Sequence, residues 1–189
     1  MYFFKNIYKW IGVNMDELIC VDVLDLPVGK ATKEICHKEG LLHRAFSVFL
    51  YRDGKLLLQQ RARNKYHSGG LWTNACCSHP RYGESLDDAV RRRLYEEVGA
   101  VCSCKEIGQF IYYHQFDQNL YEYEYDHVFL GEYEGTVSPD PEEIMDVAWV
   151  DVSELSKSLV TSPNQYTVWF LTAAPMVIRE LSKSFTFEI

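Results

Sequence analysis

The stretch from Gly83 to Gly99, GESLDDAVRRRLYEEVG, leaves this chain little freedom. Its apolar residues Ala89, Val90, Leu94 and Val98 fall on the three-to-four spacing that puts them on one helix face. Glu84, Asp87 and Asp88 place negative charge at the N-terminal end, where the helix dipole favours it, and Gly99 stops the helix. On that helix Arg93, Glu96 and Glu97 lie at i, i+3 and i+4, so one face presents a guanidinium beside two carboxylates. Such carboxylates suit a hard divalent ion, which can bridge diphosphate oxygens. The same spacing also describes a solvated helix laced with ion pairs.

The flanking segments read mostly as strands. Glu17 to Leu26 is rich in Val, Ile and Leu, with Pro27 and Gly29 ending it, and Lys30 to His37 is a turn of helix or a loop. Ala45 to Tyr51 is strongly β-prone, Arg52-Asp53-Gly54 is a hairpin turn, and Lys55 to Gln60 is the returning strand. Further strands are expected at Ile107–Tyr113, Tyr121–Leu130 and Ala148–Asp151. A short helix begins at Ser153, and Thr167–Ser184 is an apolar helix with Pro175 placed to kink it. Strands interleaved with a few helices, without regular βαβ repetition, predict an α+β sandwich.

No repeat or low-complexity linker divides the chain, so residues 15–189 are read as one domain. Residues 1–14, MYFFKNIYKWIGVN, precede a second methionine, Met15, and are aromatic and basic. They lack the apolar stretch and cleavage site of a signal peptide. A short amphipathic extension and a misplaced start account for them equally well, and they are assigned no function.

A length of 189 residues with 47% hydrophobic content suits a single core. No run of about 18 apolar residues is present, which argues against a membrane span. The formal net charge of −8 argues against broad nucleic-acid binding, although a pocket for a small anion needs only a few cations. The six cysteines do not resemble a disulfide scaffold, and Cys102 and Cys104 have no second pair at zinc-ribbon spacing. Reduced thiols and a cytosolic compartment are expected.

A second constellation lies just upstream of the helix, in Leu71-Trp-Thr-Asn-Ala-Cys-Cys77-Ser-His79-Pro80. A lone cysteine is usually a buried structural one, but this thiol sits two residues from a histidine and beside a metal-suited helix. Farther on, Glu122-Tyr-Glu124 falls in a β-prone run, which puts both carboxylates on one face.

The helix segment resembles the Nudix signature G-x5-E-x7-R-E-U-x-E-E-x-G-U, with Glu84, Arg92, Leu94, Glu96, Glu97, Gly99 and Ala100 at matching positions. Two positions depart from it: Ser78 replaces the opening glycine, and Arg93 replaces the glutamate after the first arginine. A cation at that position weakens metal loading for hydrolysis and instead helps to hold a phosphate. Together with the cysteine block, the E-x-E strand and His37-Lys-Glu-Gly-Leu-Leu-His43-Arg-Ala-Phe, the chain resembles the type I isopentenyl-diphosphate isomerases, from about Met15 to the Trp169 region.

That resemblance implies a Nudix-type α/β/α sandwich with a mixed sheet, and a small diphosphate as substrate. It implies a metal bound by His37, His43, His79, Glu122 and Glu124, a mixed N/O set suited to Zn²⁺ or Mn²⁺. It implies Mg²⁺ near Glu97, and Lys33, Arg61, Lys65 and Arg93 on the diphosphate. His67, His114 and His127 do not match and are read as structural. Moving an unactivated double bond requires a proton at one carbon and removal of another two carbons away, through a tertiary carbocation. Glu124 as acid and the Cys77 thiolate as base are expected to do this, with the direction of the pair left open. The resemblance further implies Tyr112 hydrogen-bonding that centre and Trp169 facing the cation. A hydrolase of nucleoside diphosphate derivatives and a non-catalytic binding module are the competing readings.

Overall fold

The computed structural model describes residues 17–116 and 119–185. The expectation for residues 1–14 lies outside the described residues. Strand β1 (Glu17–Val21) is followed by β2 (Pro27–Thr32), helix α1 (Lys33–Glu39), β3 (His43–Arg52) and β4 (Lys55–Arg61). Two short strands, β5 (Trp72–Asn74) and β6 (Cys76–Ser78), lead to α2 (Leu86–Val98). Then come β7 (Cys104–Phe116), β8 (Leu120–Glu132), β9 (Ile144–Asp151), α3 (Val152–Thr161), a 3₁₀ turn (Pro163–Gln165) and α4 (Val168–Phe185).

The sheet is mixed: β3 runs parallel to β8, and the other paired strands run antiparallel. The Asp53-Gly54 turn forms as expected, both residues having positive φ (46° and 75°), the conformation a two-residue hairpin requires. Beyond it β3 and β4 pair over only Tyr51↔Leu56 and Arg52↔Lys55 before they diverge. On the diverging edges β6 joins β3 at Phe46–Val48, and β5 joins β4 at Leu58–Gln60.

Alternation along β3 builds two cores. Phe46, Val48 and Leu50 pack with Ala89, Val90, Leu94 and Val98 of α2. Phe49 points the other way, with Leu56 and Leu58, against Trp169, Phe170, Ala173 and Val177 of α4. A helix on each face of a mixed sheet is the α/β/α sandwich expected. Each fully buried Leu or Phe contributes roughly 1.5–3 kcal/mol, so both helices are held chiefly by this packing. Ser85 caps α2 by accepting the Asp88 N–H at 3.2 Å, and Gly99 closes it at φ 68°.

Three expectations change in detail. Pro27 and Gly29 do not end the first strand region. The chain turns at Asp22, whose Oδ1 accepts the Leu24 and Leu26 N–H groups at 2.8 and 3.0 Å, and returns as β2. Pro27 opens that strand at a sheet edge, where a missing N–H costs least. Of the alternatives for Lys30–His37, Lys30 to Thr32 is strand, and helix begins at Lys33, capped by Thr32. The last helix runs through Pro175 as one element. Among the described residues, no helix is long and apolar enough to cross a membrane.

Candidate active site

Adjacent cysteines on a strand face opposite ways, and β6 separates Cys76 from Cys77 on that basis. Cys76 is fully buried in the core under α2, whereas Cys77 is half-buried and opens into a pocket. The pocket lies where β3 and β4 part. Ser47 of β3 sits opposite Cys77 in the register, and Gln59 and Arg61 enter from β4.

Strand β8 supplies a row of carboxyls at every second residue: Glu122, Glu124 and Asp126, all buried. Glu124 is the most heavily engaged. Its Oε1 lies 2.6 Å from His79 Nε2 and 3.6 Å from His43 Nε2, and its Oε2 accepts the Tyr112 hydroxyl at 2.6 Å. Burial raises its proton affinity, but His79 and His43 outweigh that and carry the carboxyl well below the usual range. Burial, and then the Glu124 charge, push Glu122 and Asp126 well above theirs. The row thus carries its negative charge on the residue that the imidazoles face.

His37, His43, His79 and Glu124 each offer a donor atom, and these atoms lie within 4.8 Å of one another. The orientation of His43 makes this set fit a metal. Its Nδ1 faces the Leu41 carbonyl at 2.8 Å, which leaves Nε2 buried without a hydrogen-bond partner and aimed at the cluster. His37 likewise directs Nδ1 at the Tyr121 carbonyl, 2.9 Å away. Burial depresses His37 to a pKa of about 4 and His79 to about 3, which leaves both imidazoles neutral at pH 7, the form that can ligate a metal. Glu122 stands beside this cluster, with Oε1 3.6 Å from His37 Nδ1 and 2.6 Å from His67 Nε2.

His67 corrects the sequence reading, which set it aside as structural. It lines the pocket, stacks on Phe116 at 4.6 Å, and meets Trp169 edge-on at 5.9 Å. Nothing in its neighbourhood in sequence signals this, because Glu122 and Trp169 reach it from distant elements. His127 does lie outside the site, on the opposite face of β8 between Glu106 and Asp25.

The expected diphosphate cations also converge. Lys33, Arg61, Lys65 and Arg93 all line the pocket. Lys33 Nζ lies 5.3 Å from the Tyr66 ring centroid, and the Arg61 guanidinium lies 5.2 Å from that of Trp169. Arg93 donates to Glu96 at 2.9 Å and to Glu97 at 2.6 Å, so both readings of this helix face hold: ion pairs, bordering a pocket. Glu97 also accepts from Gln59 at 3.2 Å, through the oxygen that does not face Arg93. Glu84 does not face the pocket. Its two oxygens clamp Arg92 at 2.7 and 2.8 Å, which fixes the loop to α2.

Among the described residues, buried side-chain atoms without a hydrogen-bond partner are found on His43, Arg61, Arg93, Asp126 and Trp169, all of them at this site, while His67 Nε2 meets the Glu122 carboxylate. Native interiors rarely leave such atoms unpaired, and their concentration here is the mark of a polar ligand site. Asp126 and Gln59 were legible by strand parity with Glu124 and Arg61. Glu143, from the β8–β9 connection, gave no such signal. Burial lifts the Cys77 thiol to about 12, with Arg61 opposing. Among the protein groups alone, these directions favour a neutral Cys77 thiol and an ionised Glu124, one of the two arrangements that the expected pair leaves open.

A mixed sheet between two helices, one of them bordering a polar pocket with Arg93 and Glu97, defines a Nudix-class domain, and residues 41–170 match the family described as NUDIX domain. Solved structures agree in fold: DR0079 from Deinococcus radiodurans (TM-score 0.63, 19% identity, 77% of this chain and 90% of that one) and MutT protein from Methanosarcina mazei Go1 (TM-score 0.60, 20% identity, 74% and 94%). The isopentenyl-diphosphate Delta-isomerase of Burkholderia multivorans is 49% identical over 156 residues, covering 82% of this chain and 89% of that protein. Isopentenyl-diphosphate Delta-isomerase 2 of Photorhabdus laumondii is 49% identical over 158 residues, with the same coverage. The chain belongs to the isopentenyl-diphosphate Delta-isomerases of the NUDIX family.

Proposed function

We propose that this chain interconverts isopentenyl and dimethylallyl diphosphate, with Cys77 and Glu124 as the acid–base pair. The observation that carries the reading is their sharing of one pocket, with four cations at the same pocket and the buried unpartnered polar atoms gathered around it. The substrate has no carbonyl to stabilise a carbanion, so the route is protonation to a tertiary carbocation followed by loss of an allylic proton. Each group acts as acid in one direction and as base in the other.

The Tyr112 hydroxyl holds one Glu124 oxygen, which fixes the direction the other presents. The Trp169 ring, only 4% exposed, supplies a π face for the cation and helps to exclude water that would capture it. Lys33, Arg61, Lys65 and Arg93 bind the diphosphate as a handle. His37, His43, His79 and Glu124 would hold Zn²⁺ or Mn²⁺, with Glu122 as a further ligand, and such an ion polarises the Glu124 carboxyl. Glu97 would hold Mg²⁺, which neutralises charge on the diphosphate.

The test is incubation with isopentenyl diphosphate in D₂O. Deuterated dimethylallyl diphosphate is expected, without release of phosphate. Phosphate release without isomerisation would instead establish the hydrolase reading.

A further inference from the structure

Glu143 is a carboxylate inside the cation cluster, and none of the proton or metal roles uses it. Its backbone is fixed against both elements that carry the neighbouring cations. The Glu143 carbonyl accepts the Ala62 N–H at 2.9 Å, just after β4, and the Glu143 N–H donates to the Asp140 carbonyl at 3.0 Å. The Asp140 and Ser138 N–H groups donate to the carbonyls of Glu97 and Val98, each at 2.8 Å, at the end of α2.

From that anchored loop the Glu143 carboxylate forms an ion pair with Lys65, and its Oε1 lies 3.7 Å from the Arg93 guanidinium. Neither cation is exhausted by this. Lys65 has three N–H donors, and Arg93 keeps a buried Nε with no partner. Lys33 and Arg61 make no ion pair among the described residues. The Glu143 side chain is 31% exposed, so it has water to move into.

We propose that Glu143 is an internal counter-anion: it holds Lys65 and Arg93 in place until a diphosphate displaces it, and so sets how tightly diphosphates bind and how readily they leave. This rests on the reading that the four cations take the diphosphate. Substrate and product carry the same diphosphate, so a pocket that binds it too tightly gains nothing at the transition state and slows release. A fixed anion that competes for two of four cations weakens both complexes equally.

The experiment compares wild type, Glu143→Gln and Glu143→Asp by calorimetric titration with inorganic pyrophosphate, with and without Mg²⁺. Loss of one negative charge beside the anion is expected to tighten pyrophosphate roughly tenfold in Glu143→Gln under both conditions. Glu143→Asp, which keeps the charge, should stay within about twofold of wild type. KM for isopentenyl diphosphate should fall with the pyrophosphate constant in Glu143→Gln, and kcat should not rise. Unchanged or weaker binding by folded Glu143→Gln would overturn the inference, as would a loss of affinity confined to Mg²⁺, which would make Glu143 a metal ligand. If wild type does not bind pyrophosphate, the inference and the cation reading fall together. If binding responds as expected but D₂O incubation yields no isomer, the inference stands and the isomerase reading falls.

Discussion

Replacing Cys76 and Cys77 one at a time with alanine separates fold from chemistry at two neighbouring residues. Cys76 is 0% exposed among Phe46, Val48, Ala75 and Leu94, so Cys76→Ala removes one buried sulfur from a packed core. Losing a group of that size costs about 1–1.5 kcal/mol in transfer and cavity energy. For a domain of this length each kcal/mol lowers Tm by roughly 2–4 °C, so a drop of about 2–6 °C is expected. Activity per folded molecule should change by less than about threefold, because Cys76 faces away from the pocket. Cys77→Ala should behave oppositely. The side chain is already half-buried at a pocket wall, so Tm should shift little, while loss of a general acid–base group should cut turnover by about 10²–10⁴. Thermal melts and deuterium incorporation into dimethylallyl diphosphate read the two effects separately. The assignment is refuted if Cys76→Ala abolishes turnover while folded, or if Cys77→Ala keeps full activity.

Two other perturbations bear on the frame and on the metal. Glu84→Gln breaks the two-pronged clamp on Arg92 and should cost about 1–3 kcal/mol at pH 7, read as a lower Tm. Burial alone would raise the Glu84 carboxyl, but Arg92 and the Arg81 N–H hold it below its ordinary value. Its stabilisation is therefore full above the unfolded carboxylate pKa and is lost as pH falls through the lower folded one. The Tm gap between wild type and Glu84→Gln should close in acid, and a gap that widens there would contradict the assignment. Exhaustive chelation should abolish deuterium incorporation, with Zn²⁺ or Mn²⁺ restoring it. Full activity in protein shown by elemental analysis to be metal-free would reduce the His/Glu cluster to a structural role.

What was legible in the sequence was whatever local spacing encodes. The α2 face, the Asp53-Gly54 hairpin and the shared face of Glu122 and Glu124 follow from periods of 3.6 and 2, and each formed as read. The same rule would have found Asp126, one step farther along β8. It could not find β5 and β6, each three residues long, because they are strands only by virtue of β4 and β3 beside them. His67 and Glu143 were invisible for a related reason. Each reaches the pocket from an irregular segment, held there by contacts between residues far apart in sequence: Glu122 lies 2.6 Å from His67 Nε2, and the Glu143 carbonyl accepts the Ala62 N–H at 2.9 Å.

Arg93 shows how a single signature position redirects a scaffold. Where the signature has a glutamate, this chain has a guanidinium that spans Glu96, Glu97 and the Glu143 carboxylate. A carboxylate there would have joined Glu96 and Glu97 in collecting divalent ions around a scissile diphosphate. The cation neutralises that charge, lines the pocket, and keeps a buried Nε without a partner. Capacity for a metal is concentrated instead on β8 and the three imidazoles, around Glu124. Charge that serves phosphate cleavage in a hydrolase is, on this reading, divided between a grip on the diphosphate and a proton relay at the hydrocarbon. The two halves meet at Arg61, which touches the Cys77 sulfur at 3.9 Å and lies over the Trp169 ring.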